Sequence, residues 1–205
     1  MIFIKKTEPE IKNFDQIFHS IESNFKYCIM GKHKTKFVYD ELVSISEKGF
    51  TAEIGVFMGF TSKVIALSNY NNTHFCYDTF EGVVKSDPKI DIHKDGDFSC
   101  NLDEVKKNIN LPNIIYKKGT FPETFTENNL KFIFVHSDTD TYYGTKATFD
   151  NFAHIMRIGG KMLFDDYKFK NCPGVEKAVH EFYENNKEFF SLKEVMHQCV
   201  LTKIK

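Results

Sequence analysis

Six acidic side chains stand where short apolar runs give way to polar residues: Glu53, Asp78, Asp138, Asp140, Asp165 and Asp166. In an open α/β sheet, ligands bind beyond the carboxyl ends of the strands, so acids at those ends are candidates for chemistry. Glu53 opens the stretch Glu53-Ile54-Gly55-Val56-Phe57-Met58-Gly59. Gly55 and Gly59 would let the backbone turn tightly against a ligand. The stretch is not GxGxxG: a glutamate stands at position 53 and the third glycine is missing, which disfavours a pyrophosphate. A carboxylate at this point repels phosphate and suits an ammonium group.

Asp78 lies 25 residues after Glu53. An acid at the end of a second strand accepts hydrogen bonds from ribose hydroxyls, although a lone aspartate there is also a common turn residue. An ammonium-pairing glutamate and a ribose-binding aspartate together describe S-adenosylmethionine, which carries an amino-acid head and an adenosine. Asp138 with Asp140, and Asp165 with Asp166, then concentrate negative charge at two further strand ends. Such crowding is costly without a cation, and helix capping explains one acid at each end but not two. Oxygen donors with no nearby cysteine in sequence point to a hard divalent ion such as Mg²⁺.

Asp138-Thr139-Asp140-Thr141 also resembles the DxDxT nucleophile motif of haloacid-dehalogenase-like phosphatases. Spacing argues against that alternative. Only 27 residues separate Asp138 from Asp165, too few for the elements that family places between its motifs.

The pattern around these residues predicts the elements that must position them. Helices are expected over 8–24 and 35–47, then strand 50–56, helix 61–68, strand 73–78, helix 102–109 and strand 114–118. Strand 131–135 and helix 145–156 follow, with Gly159-Gly160 as the helix stop. Strand 161–164 comes next, then a helix opened by Pro173, and strands 189–195 and 199–204. This alternation predicts a Rossmann-like, doubly wound, mostly parallel seven-stranded sheet. The last two strands are too close in sequence for a parallel crossover, so one antiparallel strand is expected near the C-terminus. The expected layout is one domain, 1–205, with residues 1–48 as a helical cap and 49–205 as the core.

Composition narrows the partners. The chain of 205 residues is 41% hydrophobic and 27% charged, with 27 Lys+Arg against 28 Asp+Glu for a net charge of −1. That balance offers no basic footprint for nucleic acid. No apolar run approaches the ~18 residues of a membrane span, and the start MIFIKKTEPE does not read as a signal peptide. Five cysteines with no CxxC argue against a disulfide framework and suit a cytoplasmic protein. The 22 phenylalanines read as core.

Six stretches in sequence order resemble the macrocin O-methyltransferase family, a branch of the class I S-adenosylmethionine-dependent methyltransferases. They are Ala52–Gly59 (AEIGVFMG), Tyr77–Gly82 (YDTFEG), Gly119–Phe125 (GTFPETF), Asp138–Thr145 (DTDTYYGT), Gly159–Tyr167 (GGKMLFDDY) and Cys172–Phe182 (CPGVEKAVHEF). Departures are Thr79 for Ser, Thr139 for Gly, and a shorter loop after Gly82. The resemblance implies that Glu53, Gly55, Gly59, Asp78, Thr79 and Phe80 hold the cofactor, with Gly119, Thr120 and Phe121 near its adenine. It implies a Mg²⁺ ion on Asp138, Asp165 and Asp166, with Asp140 as a neighbour. The family methylates sugar hydroxyls, so the implied acceptor is a sugar derivative; the Asn-, Lys-, Ile- and Phe-rich composition, that of an AT-rich genome, separately suggests a bacterial surface-polysaccharide pathway, with a secondary-metabolite pathway as the other expectation. Its histidine base falls in the loop after the second strand, where His93 is the only histidine; Asp138 is the other implied catalytic group. His136 and His180 are expected to be structural. The N-terminal helices could cover the pocket or pair subunits into a homo-oligomer. A non-catalytic cofactor-binding subunit is the alternative from another class, and intact acids at every matched position argue against it.

Overall fold

The computed structural model describes residues 13–22 and 30–205. Seven strands form one sheet in the order β3-β2-β1-β4-β5-β7-β6. They are β1 (Phe50–Ile54), β2 (His74–Asp78), β3 (Ile114–Lys118), β4 (Phe132–Ser137), β5 (Met156–Phe164), β6 (Phe190–Val195) and β7 (Gln198–Lys203). β7 runs antiparallel to both β5 and β6, and the remaining pairs are parallel. The expected doubly wound sheet with one reversed strand is present.

Helices cover both faces because side chains of a buried strand alternate between them. On one face, Val38 and Leu42 of α2 (Gly31–Val43) and Ile65 of α3 (Phe60–Ser68) pack on Ile133, Phe134 and Leu163. α1 (Phe14–Glu22) lies on α3 through Phe14, Ile17, Phe18 and Ile21. α4 (Leu102–Ile109) adds Val105 and Ile109 against Val56 and Cys76. On the other face, α5 (Tyr142–Phe152) and α6 (Pro173–Asn186) bury Phe149, Phe152, Val175 and Val179 over Phe132, Val135 and Phe164. Much of the phenylalanine content is accounted for here: the Phe152 ring centroid lies 5.0 Å from those of both Phe125 and Phe132.

Several boundaries differ from the sequence reading. The second helix spans 31–43, earlier than 35–47; of the expected first helix, α1 covers Phe14–Glu22, and residues 8–12 and 23–24 lie outside the described residues. α5 spans 142–152, capped at its start by the Thr141 hydroxyl on the Gly144 N–H. Gly159-Gly160 therefore does not stop a helix. The pair lies inside β5, where the β4 register shifts between Phe132 and Phe134. A Cβ at Gly160 would sit 2.9 Å from the Arg157 carbonyl, so the glycines serve a bulge. Met156, expected on the helix, opens that strand instead.

Candidate active site

Backbone hydrogen bonds at the strand ends set the candidate residues in a row. Gly55 N–H donates to the Tyr77 carbonyl (3.0 Å), Gly119 N–H to Asp78 (3.0 Å), Asp138 N–H to Ile54 (2.8 Å) and Asp165 N–H to Ser137 (3.0 Å). The row crosses the point between β1 and β4 where the strand order reverses, the expected place for a ligand. A cleft of about 410 Å³ opens there, lined among others by Glu53, Gly55, Asp78, His93, Asp138 and Asp166. Gly55 is required at its position: with φ +82°, a Cβ would lie 1.9 Å from the Asp138 carbonyl. β1 and β4 can meet at the cleft floor only because that side chain is missing.

On the β1–β2 side the acids are held by the protein's own donors. Glu53, 1% exposed, accepts from the Ser62 hydroxyl and lies 2.7 Å from His136 Nδ1. Its carboxylate thus has two hydrogen-bonding partners at the cleft floor. Asp78 accepts from the backbone N–H of Val56 (2.6 Å), Phe57 (2.9 Å) and Phe80 (2.6 Å). Burial raises its pKa, and those three bonds oppose the rise. Gly55, Gly59, Thr79, Gly119 and Phe121 line the cleft with them. Phe80 and Thr120 do not: Phe80 is 4% exposed and packs toward α4.

The β4–β5 side is different. Carboxylate oxygens of Asp138, Asp140 and Asp166 lie within 4.8 Å of one another. Asp140 and Asp166 have φ of 59° and 56°, a left-handed backbone that aspartate tolerates better than most residues. Burial, then the charges of Asp165, Asp140 and Asp166, hold the Asp138 carboxyl well above the usual range. Burial and Asp166 push Asp140 up to about 8. Asp165 lies outside this group of three. Lys34, reaching in from α2, lies 2.9 Å from one oxygen of each of Asp165 and Asp166. An all-carboxylate set in which burial and neighbouring charge raise the proton affinity of Asp138 and Asp140 fits a hard divalent cation, with Asp140 beside Asp138 and Asp166 rather than the expected Asp165.

Sequence reasoning missed Lys34. The signal was the stripe Lys34-Phe37-Val38-Glu41, where two charges flank buried apolar residues on one helix face. Cys172 was missed as well. It is fully buried, precedes α6, and its Sγ faces Asp140 and Asp166.

His93 does reach the cleft. Its loop, residues 79–101, is fastened at several points. Asp91 accepts from the Tyr142 N–H at the start of α5 (2.9 Å), and the Cys100 thiol donates to the Phe57 carbonyl (3.1 Å). Lys85 bonds the Tyr143 hydroxyl (2.8 Å) and pairs with Glu123. His93 Nδ1 is 3.6 Å from Asp97, too long for a hydrogen bond. His136 is enclosed against Glu53, and His180 pairs with the Tyr167 hydroxyl at 2.8 Å.

The family model for Macrocin-O-methyltransferase (TylF) matches residues 23–203. The chain belongs to that family. It is accordingly an S-adenosylmethionine-dependent methyltransferase. No curated protein sequence matches it. Among solved structures, the O-methyltransferase NovP is similar, with TM-score 0.71 and 17% identity over 85% of this chain and 81% of NovP. CalS11, calicheamicin methyltransferase, has TM-score 0.69 and 16% identity over 96% and 93%. An O-methyltransferase from Bacillus cereus in complex with SAH has TM-score 0.61 and 15% identity over 94% and 92%. No described helix of this methyltransferase is long and apolar enough to cross a membrane.

Proposed function

We propose that this methyltransferase transfers the methyl group to a hydroxyl of a sugar or sugar-like small molecule, with Mg²⁺ at the Asp138–Asp140–Asp166 cluster and His93 as base. The observation that carries it is the division of one cleft: a self-satisfied acid on β2 and three crowded carboxylates across the switch point. Of the similar structures, CalS11 is a TDP-rhamnose 3'-O-methyltransferase, which supports a sugar acceptor.

Methyl transfer is a displacement at carbon, so alignment of acceptor oxygen, methyl carbon and sulfur supplies much of the rate. Gly55 and Gly119 admit the cofactor close to the backbone, and Asp78 presents its carboxylate to the ribose. Glu53, held by Ser62 and His136, fixes the floor near the amino-acid head. A divalent ion at the carboxylates would polarise the acceptor hydroxyl and lower its pKa. His93, on its anchored loop, takes the hydroxyl proton as the methyl arrives. Phe57, Phe98, Tyr143 and Phe169 line the cleft and offer aromatic surfaces on which the apolar faces of a sugar ring can lie.

The test is calorimetric and kinetic. S-adenosylhomocysteine should bind the metal-free enzyme, and labelled methyl transfer to a panel of free and nucleotide-linked sugars should require added Mg²⁺. Full turnover after exhaustive chelation would remove the metal from the reading.

A further inference from the structure

Beside the carboxylate cluster, three side chains from separate segments converge with a chemistry unlike that of a magnesium site. His93 comes from the loop after β2, Asp140 from the turn after β4, and Cys172 from the residue before α6. One nitrogen, one oxygen and one sulfur of these residues lie within 4.8 Å of one another. Cys172 Sγ is 3.7 Å from Asp140 Oδ1 and 3.5 Å from Asp166 Oδ2. A tetrahedral ion about 2.3 Å from sulfur and about 2.0 Å from oxygen spans a sulfur–oxygen edge of roughly 3.5 Å. Two edges of such a tetrahedron are therefore already close to the required length. Mg²⁺ takes oxygen in octahedral geometry, whereas sulfur and imidazole select a softer ion.

The three segments are also tied together away from the ligand atoms. Asp91, two residues before His93, has its Oδ1 on the Tyr142 N–H at 2.9 Å. The same oxygen would lie 2.1 Å from a Cβ at Gly174. The loop carrying His93 is thus pressed onto the starts of α5 and α6, next to Asp140 and Cys172.

We propose that His93, Asp140 and Cys172, with Asp166 as fourth ligand, form a site for a thiophilic divalent cation of the zinc type. It overlaps the Mg²⁺ cluster at Asp140 and Asp166, so the two ions exclude one another. When the metal–sulfur bond forms, the Cys172 thiol proton leaves to solvent and no electron is transferred. The functional consequence rests on His93 being the base: its lone pair is then committed to the ion, and methyl transfer stops.

The experiment is titration of the metal-free full chain with Co²⁺. One equivalent should give intense tetrahedral visible bands and a thiolate-to-cobalt charge-transfer band in the near ultraviolet, both persisting in excess Mg²⁺ and lost on adding Zn²⁺. Cys172→Ser should remove the charge-transfer band, and His93→Gln should weaken Co²⁺ binding about tenfold or more. X-ray absorption of the zinc-loaded wild type should show one sulfur neighbour, a readout that needs no variant to fold. A weak octahedral spectrum, a band unchanged in Cys172→Ser, or no sulfur neighbour would overturn the site. Zn²⁺ should also suppress Mg²⁺-supported turnover of the wild type but not of Cys172→Ser. A cobalt–thiolate band together with a fully active His93→Ala enzyme would keep the site and discard the base.

Discussion

The two sides of the cleft lie side by side on one sheet edge, yet they treat charge in opposite ways. On the β1–β2 side, Glu53 is closed by Ser62 and His136, and Asp78 by three backbone N–H groups. On the β4–β5 side, Asp138, Asp140 and Asp166 face one another, and Lys34 is the one ammonium paired with Asp165 and Asp166 among the described residues. The first side is finished before any ligand arrives and can be rigid. The second is left with a charge excess that either protons or a metal ion can neutralise, because a buried carboxylate cluster takes up one or the other. Under the proposed function, the first side would grip the constant substrate and the second would act on a variable one.

The largest effect expected from this division is kinetic and confined to the β4–β5 side. His93→Ala should lower turnover by roughly 10²–10⁴-fold, the span for loss of a general base. Asp138→Asn should also cut methyl transfer severely. Both variants should bind S-adenosylhomocysteine within about twofold of wild type by calorimetry. If either loses cofactor affinity along with turnover, the two sides are not separable.

Next comes Asp78→Ala, which strikes the other side. Loss of a charged hydrogen bond acceptor should weaken S-adenosylhomocysteine by about 1.5–3 kcal/mol, or roughly ten- to a hundredfold. The Val56, Phe57 and Phe80 N–H groups also lose their acceptor, so the melting temperature should fall. Unchanged affinity would mean that Asp78 serves only the loop it already holds.

These two sides were not equally legible in the sequence. Strand alternation gave the sheet and its reversed strand, and acids at strand ends marked where the cleft would lie. Gly55 was readable as a tight turn; that it clears the Asp138 carbonyl depends on how β1 and β4 register, which no local pattern encodes. The pairing of Lys34 with Asp165 joins residues 131 positions apart and depends on where α2 packs. The same holds for Cys172, which looked like a helix-preceding residue. Gly159-Gly160 misled because a bulge and a helix stop both call for glycine.

A smaller effect is thermodynamic and separates the sides by pH. Burial and Asp166 push the folded Asp140 carboxyl up to about 8, above the ordinary aspartate value of ~3.9. Between those values the native chain holds a proton that the unfolded chain has lost, so stability falls as pH rises and levels off above about 8. With Asp138 and Asp165 shifted the same way, the metal-free protein should lose on the order of 1 kcal/mol per pH unit between pH 6 and 8. In melting temperature that is roughly 2–4 °C for a chain of this size. Mg²⁺ should flatten the slope, and Asp140→Asn should reduce it. A flat metal-free profile would show that the cluster is not under charge strain.

The smallest effect concerns Lys34, and it decides which carboxylate completes the metal set. Lys34 is a substitute cation: desolvation opposes its charge, but Asp165 and Asp166 prevail and hold its pKa above the usual lysine range. In Lys34→Met the shape of the stem is kept and the ammonium is removed. Asp165, 5% exposed, then loses its partner, so the metal-free melting temperature should drop by a few degrees. The vacated carboxylates carry one more net negative charge, so Mg²⁺ affinity should rise by a few-fold, and saturating Mg²⁺ should recover the lost stability. Adding Asp165→Asn to Lys34→Met should cancel that gain if Asp165 swings in as a ligand. Adding Asp140→Asn should cancel it if the third oxygen remains Asp140. Should Lys34→Met bind Mg²⁺ more weakly than wild type, the lysine would instead be holding Asp166 in position for the ion, and the β4–β5 side would be as preorganised as its neighbour.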